Sequence, residues 1–174
     1  MSKKTIILGI VTLLWMGVIF YMSNDSGEDS GNKSGDIINF IVSKYDQITN
    51  ASIEKINYHN SIEFKEKANY IFRKVCHFSE YFVLSILLIN WFISLSKYTM
   101  LSSSIWTIII SIVYALLDEY HQTFISGRSG NIIDSMIDTS GAITGTILVI
   151  IIYYIINKNN MKTKNSWRIN KNSL

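Results

Sequence analysis

Four apolar runs, separated by polar stretches, set the pattern of the chain. They occupy residues 5–22 (TIILGIVTLLWMGVIFYM), about 75–95, 101–117 (LSSSIWTIIISIVYALL) and about 132–156. Each is close to the ~20 residues a helix needs to cross the hydrocarbon core of a bilayer. The pattern predicts an all-α integral membrane protein, a single domain over residues 1–174 with four transmembrane helices. The third run is short and serine-rich, which predicts a helix that faces other helices more than lipid. The first run follows Lys3 and Lys4 as a signal peptide would, but no small-x-small cleavage site follows it, so it is read as a retained span.

A long polar loop, residues 23–74, joins the first two spans. Its opening, SNDSGEDSGNKSG at residues 23–35, has the composition of a Ser/Gly/Asp linker. After it, Ile37, Ile38, Ile41, Tyr45 and Ile48 recur at helical spacing, with Asp36 placed as N-cap. They predict a short amphipathic helix on the membrane surface. The sequence NSIE at residues 60–63 resembles a capping box and predicts a helix running straight into the second span.

Composition agrees with the pattern. Of 174 residues 48% are hydrophobic, mean hydropathy is +0.22 and proline is absent. The net charge of +3 is small, and its placement orients the chain. Lys3 and Lys4, Lys97 and the basic tail of residues 157–174 fall on one side, which the excess of Lys/Arg assigns to the cytoplasm, both termini included. Residues 23–74 carry seven Lys/Arg against eight Asp/Glu and fall outside with residues 118–131. Arg73 and Lys74 run against the rule. The tail follows directly on an apolar run, so it is read as a topology anchor and not as a nucleic-acid-binding segment. The single cysteine, Cys76, excludes an intramolecular disulfide and a multi-cysteine zinc site, and is read as a small buried apolar residue.

The candidate chemistry gathers at the outer ends of three spans. Arg73, His77, Glu80 and Leu84 share one helical face. The third span ends in Asp118, Glu119 and Gln122, with Asp118 and Gln122 on one face. Arg128 sits in the turn SGRSG, and its planar fork suits a carboxylate or a phosphate. Asp134 and Asp138 open the fourth span, on a face that continues into Gly141 and Gly145, a G-x-x-x-G helix contact. Asn131 is placed to cap that helix, and a carboxylate at Asp134 suits its dipole; Asp138 has no such explanation. An isolated ionisable residue inside a span costs at least ~2.5–3.5 kcal/mol, so these groups are expected to form one shared polar pocket. His77 and Glu80 are a candidate acid–base, ligand or hydrogen-bonded pair, although their spacing is not that of the zinc hydrolases. Asp118 and Glu119 point about 100° apart, so one lines the pocket while the other reaches Arg128 or water.

The segments RKVCHFSEY, DEYHQTFISGRSG and DSMIDTSGAITG, with VIFYMSNDSGEDS at the first span's exit, resemble the VanZ-like family of bacterial integral membrane proteins. The resemblance covers most of the chain, apart from the loop around residues 36–65 and the tail. It implies a four-span protein of the bacterial cell envelope, related to a namesake associated with low-level resistance to the glycopeptide teicoplanin. It implies no reaction. The family's polar positions map onto His77, Glu80, Asp118, Glu119, Gln122, Arg128 and Asp134. Where the family usually has asparagine this chain has Asp138, which adds negative charge one turn deeper. Three readings follow. In an enzyme, His77 would be base or nucleophile, Glu80 and Asp118 would orient it or hold a cation, and Arg128, Glu119, Gln122, Asp134 and Asp138 would bind substrate. In a binding protein the same pocket would hold a lipid head group, a lipid-linked envelope precursor or a glycopeptide without turnover. In a scaffold the cluster would be a structural network. The residues assign no cofactor and no metal.

Overall fold

The computed structural model describes residues 1–171, with side chains through residue 158. The described residues form six helices: α1 (Lys3–Ser23), α2 (Gly27–Thr49), α3 (Ile53–His59), α4 (Ile62–Ser94), α5 (Met100–Gln122) and α6 (Ile132–Lys171). Four stretches, Lys3–Ser23, Ile62–Ser94, Met100–Gln122 and Ile132–Lys158, are long and apolar enough to cross a membrane. The chain is a multi-pass membrane protein. The basic side chains of the tail beyond Lys158 lie outside the described residues.

Each N-terminus has a side chain that accepts from an otherwise orphaned backbone N–H. Ser2 accepts from Thr5, Ser52 from Lys55, Ser61 from Phe64 and Thr99 from Ser102. The NSIE segment therefore does start a helix, through Ser61. The capping is one-sided, since the third helical residue is Phe64 and not a carboxylate. At 33 residues, α4 is about 50 Å long, well beyond the ~30 Å of hydrocarbon. Its first turns therefore stand clear of the bilayer core, continuous with the second span.

The polar linker expected over residues 23–35 is instead the first half of α2. Ser26 caps it by accepting from Asp29 N at 3.0 Å, and Glu28 and Asp29 in the first turn favour the helix dipole. The cap lies ten residues before the expected Asp36. The helix stops where Asn50 turns left-handed, at φ 49°.

α4 is the central element, in contact with α1, α2, α5 and α6. Small residues bring the helices together. Thr5 on α1 donates to Ser94 O at 3.0 Å, and Gly9 faces the Trp91 indole. On α5, Ser103, Thr107, Ser111 and Ala115 form a buried stripe, as the serine-rich composition predicts. On α6, Gly141 and Gly145 lie directly against the Phe78 and Phe82 carbonyls of α4. Below the polar end, Ile19, Tyr81, Leu84, Leu88, Ala115 and Ala142 form the apolar core. Trp15 Nε1 donates to Glu80 O at 3.0 Å and Tyr114 Oη to Met16 O at 2.6 Å, so both aromatics bury their polar ends satisfied.

Candidate functional site

Above that core, at the end of the bundle that carries α2 and the α5–α6 turn, the structure places the polar residues together. A cavity of about 170 Å³ is lined by Arg73, Cys76, His77 and Glu80 from α4, by Asp118 and Gln122 from α5, and by Arg128 from the turn. Buried Ile19 lies at its core side, and Met22, Ile37 and Phe72 make its apolar lip. Cys76 is half-buried on the cavity wall, and not fully buried as its type suggests.

The pairing differs from the sequence expectation. His77 is joined to Asp138 of α6, its Nδ1 3.2 Å from Oδ1, and not to Glu80 on its own helix. Three residues apart on a helix, His77 and Glu80 share a face, but the close α4–α6 contact at Gly141 carries Asp138 directly onto the imidazole. Asp138 is fully buried.

Asp118 and Glu119 separate as adjacent helical residues must. Asp118 faces the cavity and its Oδ2 accepts from Gln122 Nε2 at 3.1 Å, one turn on. Glu119 points to the α5–α6 turn, where Oε2 accepts from Asn131 N at 2.8 Å. Asn131 caps α6, its Oδ1 accepting from Ile133 N at 3.0 Å. The partner of Asp134 is Lys74, with which it forms an ion pair. Lys74 also lies 4.9 Å from the Tyr70 ring centroid. The sequence signal for that pair was Lys74 on the acidic side of the charge pattern. A second polar groove of about 370 Å³ is lined by Lys74, Asp134 and Asn131 and shares Arg73, Gln122 and Arg128 with the cavity.

Arg128 donates from Nη2 to Met22 O at 3.4 Å, and its Nε is buried without a partner. Burial, and then the neighbouring Arg73, lower the Arg128 pKa from the ordinary guanidinium value. Among the described residues neither arginine forms a salt bridge. The two guanidinium groups share the cavity with the carboxyl groups of Asp25, Glu80 and Asp118 without a salt bridge to any of them. Sequence reasoning also missed the link from α2 to α4. Ser34 bonds to the Asn69 side chain, and Asn69 Nδ2 donates to Gly31 O at 3.2 Å.

A family model described as VanZ/LLP1 matches residues 8–154. No curated protein and no solved structure matches the chain.

Proposed function

The chain belongs to the VanZ/LLP1 family, and from that premise we propose that it binds the anionic head group of a phospholipid or lipid-linked envelope precursor in the cavity. The observation that carries the proposal is the pair Arg73 and Arg128, in no salt bridge with any described carboxylate, in a cavity whose apolar lip is Met22, Ile37 and Phe72. Guanidinium groups match phosphate oxygens in charge and geometry, and the lip matches an acyl or prenyl chain. An amphipathic ligand satisfies both surfaces at once. In this reading the protein sits in the bacterial cytoplasmic membrane with both termini inside, the cavity opens to the outer face, and occupancy contributes low-level resistance to teicoplanin.

His77, Glu80 and Asp118 line the same cavity, within reach of a bound head group. They supply the residue types for general acid–base chemistry. A scaffold reading is favoured by the contacts Glu119–Asn131 and Lys74–Asp134, which tie α5 and α4 to α6.

The test is teicoplanin susceptibility of a host lacking the native gene, carrying wild type, His77→Gln, Glu80→Gln or Arg128→Lys, with membrane protein quantified on the same cells. Arg128→Lys keeps the charge and loses the fork. Resistance lost in Arg128→Lys at unchanged protein level supports head-group recognition, and complete loss in His77→Gln and Glu80→Gln as well adds turnover. Losses that follow protein level favour the scaffold.

A further inference from the structure

We propose that His77, Glu119 and Asp138 form a site for one divalent cation of the zinc–manganese class. Each residue comes from a different helix, and each offers a ligand atom within 4.8 Å of the other two. A triangle of that side has its centre about 2.8 Å from each corner, against metal–nitrogen and metal–oxygen bonds of ~2.0–2.2 Å. Closure by less than 1 Å, about the reach of side-chain rotation, completes the coordination. The 3.2 Å between His77 Nδ1 and Asp138 Oδ1 is long for a charged hydrogen bond. It is close to the edge of a tetrahedron with bonds of about 2.0 Å.

A second observation points to a ligand. Asp138 Oδ2, Glu119 Oε1 and Asp118 Oδ1 are buried without a hydrogen-bond partner. Their residues are 0%, 5% and 4% exposed. Such atoms are costly unless something cationic or donating meets them. Of the described cations nearby, Lys74 pairs with Asp134, and neither Arg73 nor Arg128 forms a salt bridge with these carboxylates. Glu119 has its other oxygen fixed by Asn131 N, which orients the carboxylate as an outer-shell partner orients a metal ligand. One imidazole with two carboxylates suits zinc or manganese, whereas calcium and magnesium prefer oxygen alone. Asp118, beside this triad on the cavity wall, leaves a side from which water or a ligand oxygen reaches the cation. The site is independent of head-group binding and should fill without any lipid-linked ligand.

The experiment uses the full chain in detergent micelles, purified without a histidine tag and stripped with chelator. Zn²⁺ or Mn²⁺ is titrated, bound metal is counted by mass spectrometry, and the thermal midpoint is followed, with Mg²⁺ as comparison. The expected result is one equivalent bound and a raised midpoint. Asp138→Asn and Glu119→Gln should each weaken binding at least tenfold. His59→Gln, which removes the separate His59–Asp46 pair, should leave binding unchanged. No uptake by wild type overturns the proposal, as does uptake that survives both carboxylate variants. Should those variants not fold, X-ray absorption on zinc-loaded wild type decides. One imidazole among oxygen ligands supports the site, and a shell without imidazole or with Cys76 sulfur overturns it.

Discussion

Gly141→Ala tests the contact that builds the site. A Cβ at position 141 would overlap the Phe78 carbonyl oxygen and lie 3.0 Å from its carbon and 3.2 Å from its Cα. These are backbone atoms of α4, so no side chain can rotate away. Relief requires α6 to move off α4 by on the order of 1 Å, which corresponds to an overpacking cost of about 1–3 kcal/mol. In a soluble helix, alanine would recover ~1 kcal/mol of propensity. In a bilayer the separated helix is already hydrogen-bonded, so most of that gain cancels and the packing cost decides. Gly17→Ala is the matched control, because nothing lies within 4 Å of its Cβ position; its effect should stay within ~0.5 kcal/mol. The opening should also part His77, next to Phe78, from Asp138, one turn before Gly141, beyond their 3.2 Å. Reversible unfolding in mixed micelles gives both free energies. Equal stability of the two variants would refute the claim that this glycine sets the α4–α6 distance.

Two other perturbations reach different parts of the molecule. The Lys74–Asp134 pair is 20% and 15% exposed at its side chains, between the surface and buried limits, so Lys74→Met should cost about 1–2 kcal/mol. Adding Asp134→Asn should return most of that loss, and a double-mutant coupling near zero in the same unfolding assay would show that the two do not act as a pair. Topology is read by labelling in a Cys76→Ser background: an impermeant maleimide on intact cells should modify Asn60→Cys and not Lys97→Cys, both at exposed positions. The opposite result would place the cavity on the cytoplasmic side.

The four spans were legible because a bilayer demands long uninterrupted apolar helices, and little else in a sequence of this length produces them. The polar convergence was legible for a related reason: once the spans are placed, carboxylates at their ends have few other positions available. The pairing within the cluster was not legible. Helical spacing puts Glu80 near His77, but it says nothing about which residue of α6 faces α4; that is decided by Gly141 and Gly145 against the Phe78 and Phe82 carbonyls. The first half of α2 was hidden by composition. Ser26, Gly27, Gly31, Ser34 and Gly35 read as linker residues, yet Ser26 supplies a cap, and Ser34 and the Gly31 carbonyl supply contacts to Asn69. Tertiary contacts there outweigh the poor helix propensity of serine and glycine.

That polar half of α2 also brings Ile37 to the cavity. The helix is fixed to the protein at its N-terminal half: Gly27 N donates to Ser126 O at 3.0 Å, and Ser34 and Gly31 meet Asn69 of α4. Beyond Ile38, which is buried, its apolar side chains lie open, Phe40 at 64%, Tyr45 at 57% and Ile48 at 78% exposed. A face of that kind, on a helix next to four spans, is stable when it rests in the interfacial layer of the bilayer. Ile37, at the boundary between the two halves, lines the cavity. On that expectation the cavity wall is held by protein on one side and by an interfacial helix on the other. In the proposed function, a ligand with a charged head and a long chain would keep its chain along Ile37 and Phe72 while its head reached Arg73 and Arg128. A soluble anion would satisfy the arginines and leave the lip without an apolar partner, which is why the function proposed above takes a lipid-borne head group.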